Sequence, residues 1–312
     1  MMRYHTLRHQ PKQFQSFTGL MVEEFDRLTA LIHDDWIRQH TERLNKGNPR
    51  RKRKQGAGRK YALPALEDQL LLILVWSRLY LVYFVLEHLF GIDESTVSRT
   101  IVRIMPLLQD RFILPERLPK KKIRTLEELK EFLPPDIDLD DILVDGTEQS
   151  IPRPQKKRKR KAHHSGKKKR FTVKTQIATS RKGIILHVSG SVPGRMHDYK
   201  LFKQSILPKI IPKESRLYGD SGYQGIRKDF PKLQSVIPYK RTKTHKELTR
   251  GEKIHNTKQR RIRVTVEHAL SRLKKYTVLA APYRHSLHNY DATFRFVANV
   301  VNFRMIQRIQ MA

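Results

Sequence analysis

Three acidic residues, each in a different local setting, constrain this chain most. Asp145 ends the apolar run Ile142-Leu143-Val144 and precedes Gly146-Thr147. Asp220 sits within Leu217-Tyr218-Gly219-Asp220-Ser221-Gly222-Tyr223. Glu267 lies in the helical stretch from Arg263 to Lys274. Each stands where a rigid element can aim it inward. The surrounding chain is very basic, with 64 Lys+Arg against 30 Asp+Glu. Gathering carboxylates beside a polyanion is costly unless a cation sits among them, and a divalent metal is the simplest such cation.

A net charge of +34 on 312 residues attracts nucleic acid or an anionic membrane through its summed field. Membrane is the weaker choice. The longest apolar run, Leu70 to Val75, is too short to span, and Leu79–Phe90 is interrupted by Glu87 and His88. Arg3, His5, Arg8 and His9 leave no apolar signal segment at the start. Cysteine is absent, which excludes disulfides, thiolate zinc sites and cysteine nucleophiles and fits a reducing cytosol. The expected location is the cytoplasm, near the nucleoid, in a bacterium, or the nucleus in a eukaryote.

Apolar spacing at Phe17, Leu20, Met21, Phe25, Leu28, Leu31 and Ile32 predicts helix over residues 1–46. Residues 47–60 read as a basic, glycine-containing linker or DNA-tracking arm. Residues 61–110 read as a helix-turn-helix domain and 111–140 as a connector. In the connector a short helix is expected over Thr125–Leu133, with Thr125 and Glu128 spaced as a capping box. After residue 140 the period becomes that of strands: Asp141–Ile151, Arg170–Thr179, Gly183–Ser191, Arg216–Asp220 and Ser235–Tyr239. Helices are expected from Asp198 through Tyr199–Ile206, over Thr257–Lys275, and over Asn289–Gln310 with Phe294, Val297, Val301 and Met305 on one face. The result is a mixed α/β domain over 141–312 behind an all-helical N-terminal third.

Phe90-Gly91-Ile92-Asp93 followed by Ser95, Thr96, Val97, Ser98 and Arg99 has the form of a helix-turn-helix, with Asp93 as a candidate N-cap. Ser95, Thr96 and Ser98 could reach base edges, and Arg99 and Arg103 could reach phosphates. The plain alternative is a helical hairpin packing its own core. The segment Lys156–Arg170 carries ten lysines and arginines, among them Lys157, Arg158, Lys159, Arg160, Lys167, Lys168 and Lys169. Mutual repulsion predicts an extended, mobile run. DNA-backbone contact is favoured there over a solvated loop or a nuclear-localisation signal. Each of the three acids taken alone could be a turn cap or an exposed helix pair. Together they could hold two Mg²⁺ or Mn²⁺ ions.

These residues resemble transposases of the insertion-sequence-5 and Harbinger superfamily. The matching blocks are Asp145-Gly146-Thr147-Glu148, Ser165-Gly166-Lys167-Lys168, Pro193-Gly194-Arg195-Met196-His197-Asp198, Gly219-Asp220-Ser221-Gly222-Tyr223 and Arg263-Val264-Thr265-Val266-Glu267-His268 with Arg272-Leu273-Lys274. The block from Leu79 to Arg99 resembles the helix-turn-helix that precedes the catalytic domain in that superfamily. Residues 1–60 match that superfamily poorly.

The resemblance implies a ribonuclease-H-like mixed sheet with flanking helices and an Asp-Asp-Glu triad of Asp145, Asp220 and Glu267. In that fold the first Asp lies on the first strand, the second at the fourth, and the Glu on a late helix. It also implies two divalent ions, cleavage at transposon ends and joining of their 3′-hydroxyls to target DNA. The partners would be double-stranded DNA at the element ends and the target, with a homo-oligomer in the DNA complex and no membrane. Asp198 competes with Asp220 but can be an N-cap at its helix start, so it and His197 are given supporting roles. Lys274, two turns beyond Glu267, and Arg263 could steer phosphates. Three other functions are a catalytically silent DNA-binding regulator, a structural nucleic-acid binder and a metal-dependent nuclease that does not join ends.

Overall fold

The computed structural model describes residues 1–47, 61–108, 111–115, 125–131, 137–242 and 246–311. The basic segment 48–60 and much of the expected connector lie outside them. Two compact units result: Met1–Arg111 with Tyr276–Val278, and Phe112–Lys275 with Leu279–Ala312.

In the first unit, apolar residues at helical spacing form α1 (Tyr4–Leu7), α2 (Pro11–Thr18), α3 (Val22–Gly47), α4 (Leu66–Leu79), α5 (Tyr83–Phe90) and α6 (Glu94–Leu108). The run Leu70–Val75 is buried on every side of α4, which makes α4 the central helix of the unit. Phe25 stacks on Tyr4 with centroids 4.9 Å apart and meets Phe14 edge-on at 5.2 Å. Between α5 and α6 the chain turns at Gly91, whose φ of +59° is a left-handed conformation that a side chain would strain. Asp93 caps α6, accepting from the Thr96 amide at 2.9 Å. This is the expected helix-turn-helix arrangement.

The second unit is a mixed sheet flanked by helices. Its strands are β1 (Leu114–Pro115), β2 (Asp141–Ser150), β3 (His164–Ser165), β4 (Arg170–Ser180), β5 (Ile185–Val188), β6 (Val192–Pro193), β7 (Arg216–Tyr218) and β8 (Gln234–Val236). The order across the sheet is β1-β5-β4-β2-β7-β8, with β3 and β6 also pairing with β4. The long central strand β2 runs antiparallel to β4 and parallel to β7. Strand β7 is parallel to β8, and β4 is antiparallel to β5. Ile142, Val144, Ala178, Leu186 and Leu217 bury one face of the sheet with Phe202 and Tyr223.

The helices of this unit are α7 (Leu126–Lys130), α8 (Lys157–His163), α9 (Asp198–Gln204), α10 (Leu207–Ile210), α11 (Ile226–Asp229), α12 (Arg250–Lys274) and α14 (Tyr290–Met311). A short helix, α13 (Thr277–Ala280), follows α12 in the chain. In α7 the Glu128 amide donates to Thr125 Oγ1 at 3.1 Å, as the capping-box spacing predicts. Among the described residues no helix is long and apolar enough to cross a membrane.

Three expectations need correction. The basic run is not extended: Lys157–His163 forms α8. Lysine and arginine are good helix formers, their side chains stay largely in solvent, and the helix end is held where the Arg195 amide donates to the Ala162 carbonyl at 3.2 Å. Helix α12 begins at Arg250 rather than near Thr257, because Thr249 and Glu252 form a reciprocal capping box. Helix α14 is buried around most of its circumference, not along one stripe. Its polar residues make this possible. Asn302 accepts from the Ile185 amide at 2.9 Å and donates to the Ile185 carbonyl at 2.7 Å, satisfying the backbone of β5.

Candidate active site

Asp145 lies midway along β2, where Val144 turns into the core and Asp145 faces the other way. One carboxylate oxygen accepts from the Gly146 amide at 2.8 Å, and the other lies 3.0 Å from the Arg263 guanidinium. Burial raises its proton affinity most. Arg263 opposes this, and Asp220 and Asp198 add to it.

Asp220 follows β7, the parallel neighbour of β2. Its side chain caps a short 3₁₀ turn, accepting from the Gly222 amide at 2.8 Å. Among the described residues it has no ion-pair partner. Tyr223, the fully buried last residue of this turn, has its phenol pushed far up, first by burial and then by Asp198, Asp145 and Asp220. Gln176, opposite Gly146 on β4, donates to that phenol at 2.6 Å.

Asp198 is the first residue of α9. The N-cap is His197, whose ring accepts from the Tyr199 amide at 3.4 Å, so the expected capping role passes from Asp198 to His197. Asp198 instead pairs with Lys174 on β4 at 2.9 Å. Lys174 is buried. It stands 3.4 Å from its cross-strand partner Glu148 and donates to the Met196 carbonyl at 2.7 Å. Gly146 makes room for Asp198, since a Cβ there would lie 2.9 Å from Asp198 Oδ1.

Glu267 is half exposed on α12, with Arg263 one turn before it at 3.5 Å. Arg263 therefore stands between Asp145 and Glu267. Two turns before Glu267, the buried Gln259 donates to the Gly219 carbonyl at 2.7 Å, tying α12 to the Asp220 turn. Asn256 fixes the start of α12, accepting from the Tyr239 amide at 2.8 Å and donating to its carbonyl at 3.0 Å. His268 is exposed.

Cations converge on the same place. The Lys274 ammonium is pushed down, first by partial loss of water and then by Lys168, with Lys167 adding to this and Asp145 opposing it. Lys274 thus feels both the lysines Lys167 and Lys168 and the carboxylate of Asp145. Lys156, Lys157, Arg158, Lys159 and Lys169 are exposed.

In the first unit, Ser95 and Thr96 both bond to Asp93, and Arg99 is held by the Ser95 carbonyl at 3.0 Å. Two of the three candidate base-reading hydroxyls, those of Ser95 and Thr96, are therefore engaged at the Asp93 cap of α6. Ser98 and Arg103 lie farther along the helix, beside Arg99.

Residues 144–302 match the model of the DDE superfamily endonucleases. The chain belongs to the DDE superfamily endonucleases. Residues 61–112 match the helix-turn-helix of the same superfamily. A relative from Microchaete diplosiphon, named "Probable transposase for insertion sequence element IS702", is 31% identical over 94% of this chain and 95% of its own length. One from Streptomyces albus G, named "Putative transposase for insertion sequence element IS112", is 24% identical over 86% of each chain. No solved structure matches the chain.

The donor set suits a hard divalent cation in type, being carboxylate oxygens, and Asp145 is partly withdrawn from water with Asp220 and Asp198 opposing its ionisation. Among the described residues, no three His, Cys, Asp or Glu side chains are close enough together to hold an ion. Arg263 occupies the space between Asp145 and Glu267 instead. Lys174, Gln176 and Gln259 carry no motif of their own. The one available signal was a charged Lys174 inside the strand-like run Arg170–Thr179.

Proposed function

We propose that this protein is a DNA transposase of the insertion-sequence-5 and Harbinger type, cutting the ends of its element and joining the freed 3′-hydroxyls to target DNA. The observation that carries the reading is that one helix, α12, bears Glu267, reaches Asp145 on β2 through Arg263 at 3.0 Å and is tied through Gln259 to the Gly219 carbonyl beside Asp220 at 2.7 Å. Such a site combines acidic donors with phosphate-binding cations. A ribonuclease-H-like fold is supported by the sheet: a three-stranded antiparallel part, β5-β4-β2, is extended by parallel β7 and β8. Counting β2, β4, β5, β7 and β8 as that core, Asp145 lies on its first strand, Asp220 just after its fourth, β7, and Glu267 on the late helix α12.

Asp145, Asp220 and Glu267 would hold two Mg²⁺ or Mn²⁺ ions. Bound there, such ions supply an activated oxygen nucleophile and charge stabilisation for the departing oxygen. The protein's own groups do the rest. Lys167, Lys168 and Lys274 hold the phosphodiester against the acids. Arg263 is placed to exchange its carboxylates for a phosphate. Asp198, already neutralised by Lys174, shapes the floor beside Gly146, which favours Asp220 over Asp198 as the second acid. Cleavage is hydrolysis by water. Joining is transesterification, one phosphodiester exchanged for another without ATP.

The test is cleavage of plasmid DNA carrying the sequences that flank the coding region. Asp145→Ala, Asp220→Ala and Glu267→Ala are each expected to abolish cleavage while leaving DNA binding nearly intact. Normal cleavage by Asp220→Ala together with none by Asp198→Ala would reverse the assignment of the second acid.

A further inference from the structure

Helix α3 lies outside the matched helix-turn-helix, yet it builds half of a basic groove. Gln39, Arg43 and Lys46 recur at i, i+4 and i+7 and share one face of α3. That face and the solvent side of α6, with Arg99, Val102 and Arg103, line a cavity of about 580 Å³. Gln39 joins the two walls, donating to the Arg103 carbonyl at 3.1 Å.

The groove gathers four cations and one acid, Glu42. Two of the cations are held in place. Arg43 lies 5.7 Å from the Tyr61 ring centroid and 3.3 Å from its hydroxyl. Arg99 is fastened to the Ser95 carbonyl at 3.0 Å and stands 3.6 Å from the Asp93 carboxylate. Arg103 is pushed below the usual arginine range by burial, with Arg43 and Arg99 adding to the effect. Like charges gathered along one groove make a surface that the phosphates of a polyanion would neutralise. Val102, 63% exposed on an otherwise polar face, gives the groove an apolar contact suited to a sugar or a thymine methyl.

We infer that this groove seats one strand of duplex DNA, with Arg43 and Lys46 of α3 and Arg99 and Arg103 of α6 neutralising consecutive phosphates. The inference rests on the proposed DNA-binding function and adds a second helix, contributed by the N-terminal segment, to the recognition surface. Backbone contacts of this kind fix register and orientation and leave sequence readout to neighbouring groups.

The experiment measures binding of the full chain to a fluorescent duplex of mixed sequence across a salt series. Each neutralised phosphate contributes about −0.9 to the log–log slope. Arg43→Gln with Lys46→Gln is therefore expected to flatten the slope by about 2, and Arg99→Gln with Arg103→Gln to do the same. Removing equal charge at Lys12 and Lys213 is expected to leave the slope near that of the wild type. Thermal melts of the Arg43/Lys46 variant should match those of the wild type, since both side chains are exposed. Wild-type slope in the Arg43/Lys46 variant would overturn the groove while leaving the function standing, as would an equal loss in the Lys12/Lys213 control. Displacement of the duplex by stoichiometric inorganic pyrophosphate would identify a small-anion site and also overturn it. Wild-type protein with no salt-dependent duplex binding would instead remove the proposed function beneath it.

Discussion

Arg263 on α12 reaches Asp145 on β2 at 3.0 Å and stands 3.5 Å from Glu267 on its own helix. One guanidinium thus faces two carboxylates of the candidate site. A divalent ion binding there must displace it. Arg263→Gln is expected to tighten Mn²⁺ binding by roughly fivefold, about 1 kcal/mol. It is also expected to slow cleavage, because the phosphate loses a partner. Calorimetric titration and a cleavage assay check the two halves. Weaker Mn²⁺ binding would make Arg263 a support for the carboxylates rather than their competitor.

Gly146 and Asp198 are closely coupled, because an added Cβ would lie 2.9 Å from Asp198 Oδ1. The clash falls on the end of a side chain that can turn away, so Gly146→Ala is expected to change the melting temperature little. It should displace Asp198 from Lys174 and lower cleavage. In an Asp198→Ala background the same substitution should cost nothing further. A double-mutant cycle reads this directly, and additive losses would disconnect the two residues.

Asp35 in the first unit hydrogen-bonds to Arg111, which lowers its carboxyl most; burial opposes this, and Arg38 adds to the lowering. The folded value lies below the unfolded one of about 3.9. The pair therefore stabilises at higher pH, and that stability is lost as pH falls through the folded value. Wild-type protein should lose about 1 kcal/mol more than Asp35→Asn between about pH 5 and pH 2. Thermal melts across that range test it, and parallel curves would show that the pair contributes nothing.

What could be read from the sequence follows physical lines. Strand β2 was legible because Ile142-Leu143-Val144 is continuously apolar, as a strand buried on both faces must be. Helix α6 was legible because a glycine turn and an Asp cap precede it. The first turns of α12 were not, since Arg250–Asn256 has no apolar period, although Thr249 and Glu252 carried the capping signal. The basic run misled because charge repulsion was weighed above helix propensity. Lys174 escaped notice because a lysine in a strand ordinarily faces solvent, and its partner Asp198 arrives 24 residues later. Asn302 escaped because its role depends on the open backbone of β5, which only the assembled sheet defines.

The most direct test supplies purified protein and Mg²⁺ with pre-cut element ends carrying free 3′-hydroxyls, plus a plasmid target. A nuclease site needs room only for water. A transposase must also admit a DNA 3′-hydroxyl and a second duplex. Ends with free 3′-hydroxyls are expected to join the plasmid, and ends blocked by 3′-dideoxynucleotides are expected not to. Efficient cutting of intact ends with no joining of pre-cut ends, across a range of Mg²⁺ and Mn²⁺, would contradict the account and leave a metal-dependent nuclease.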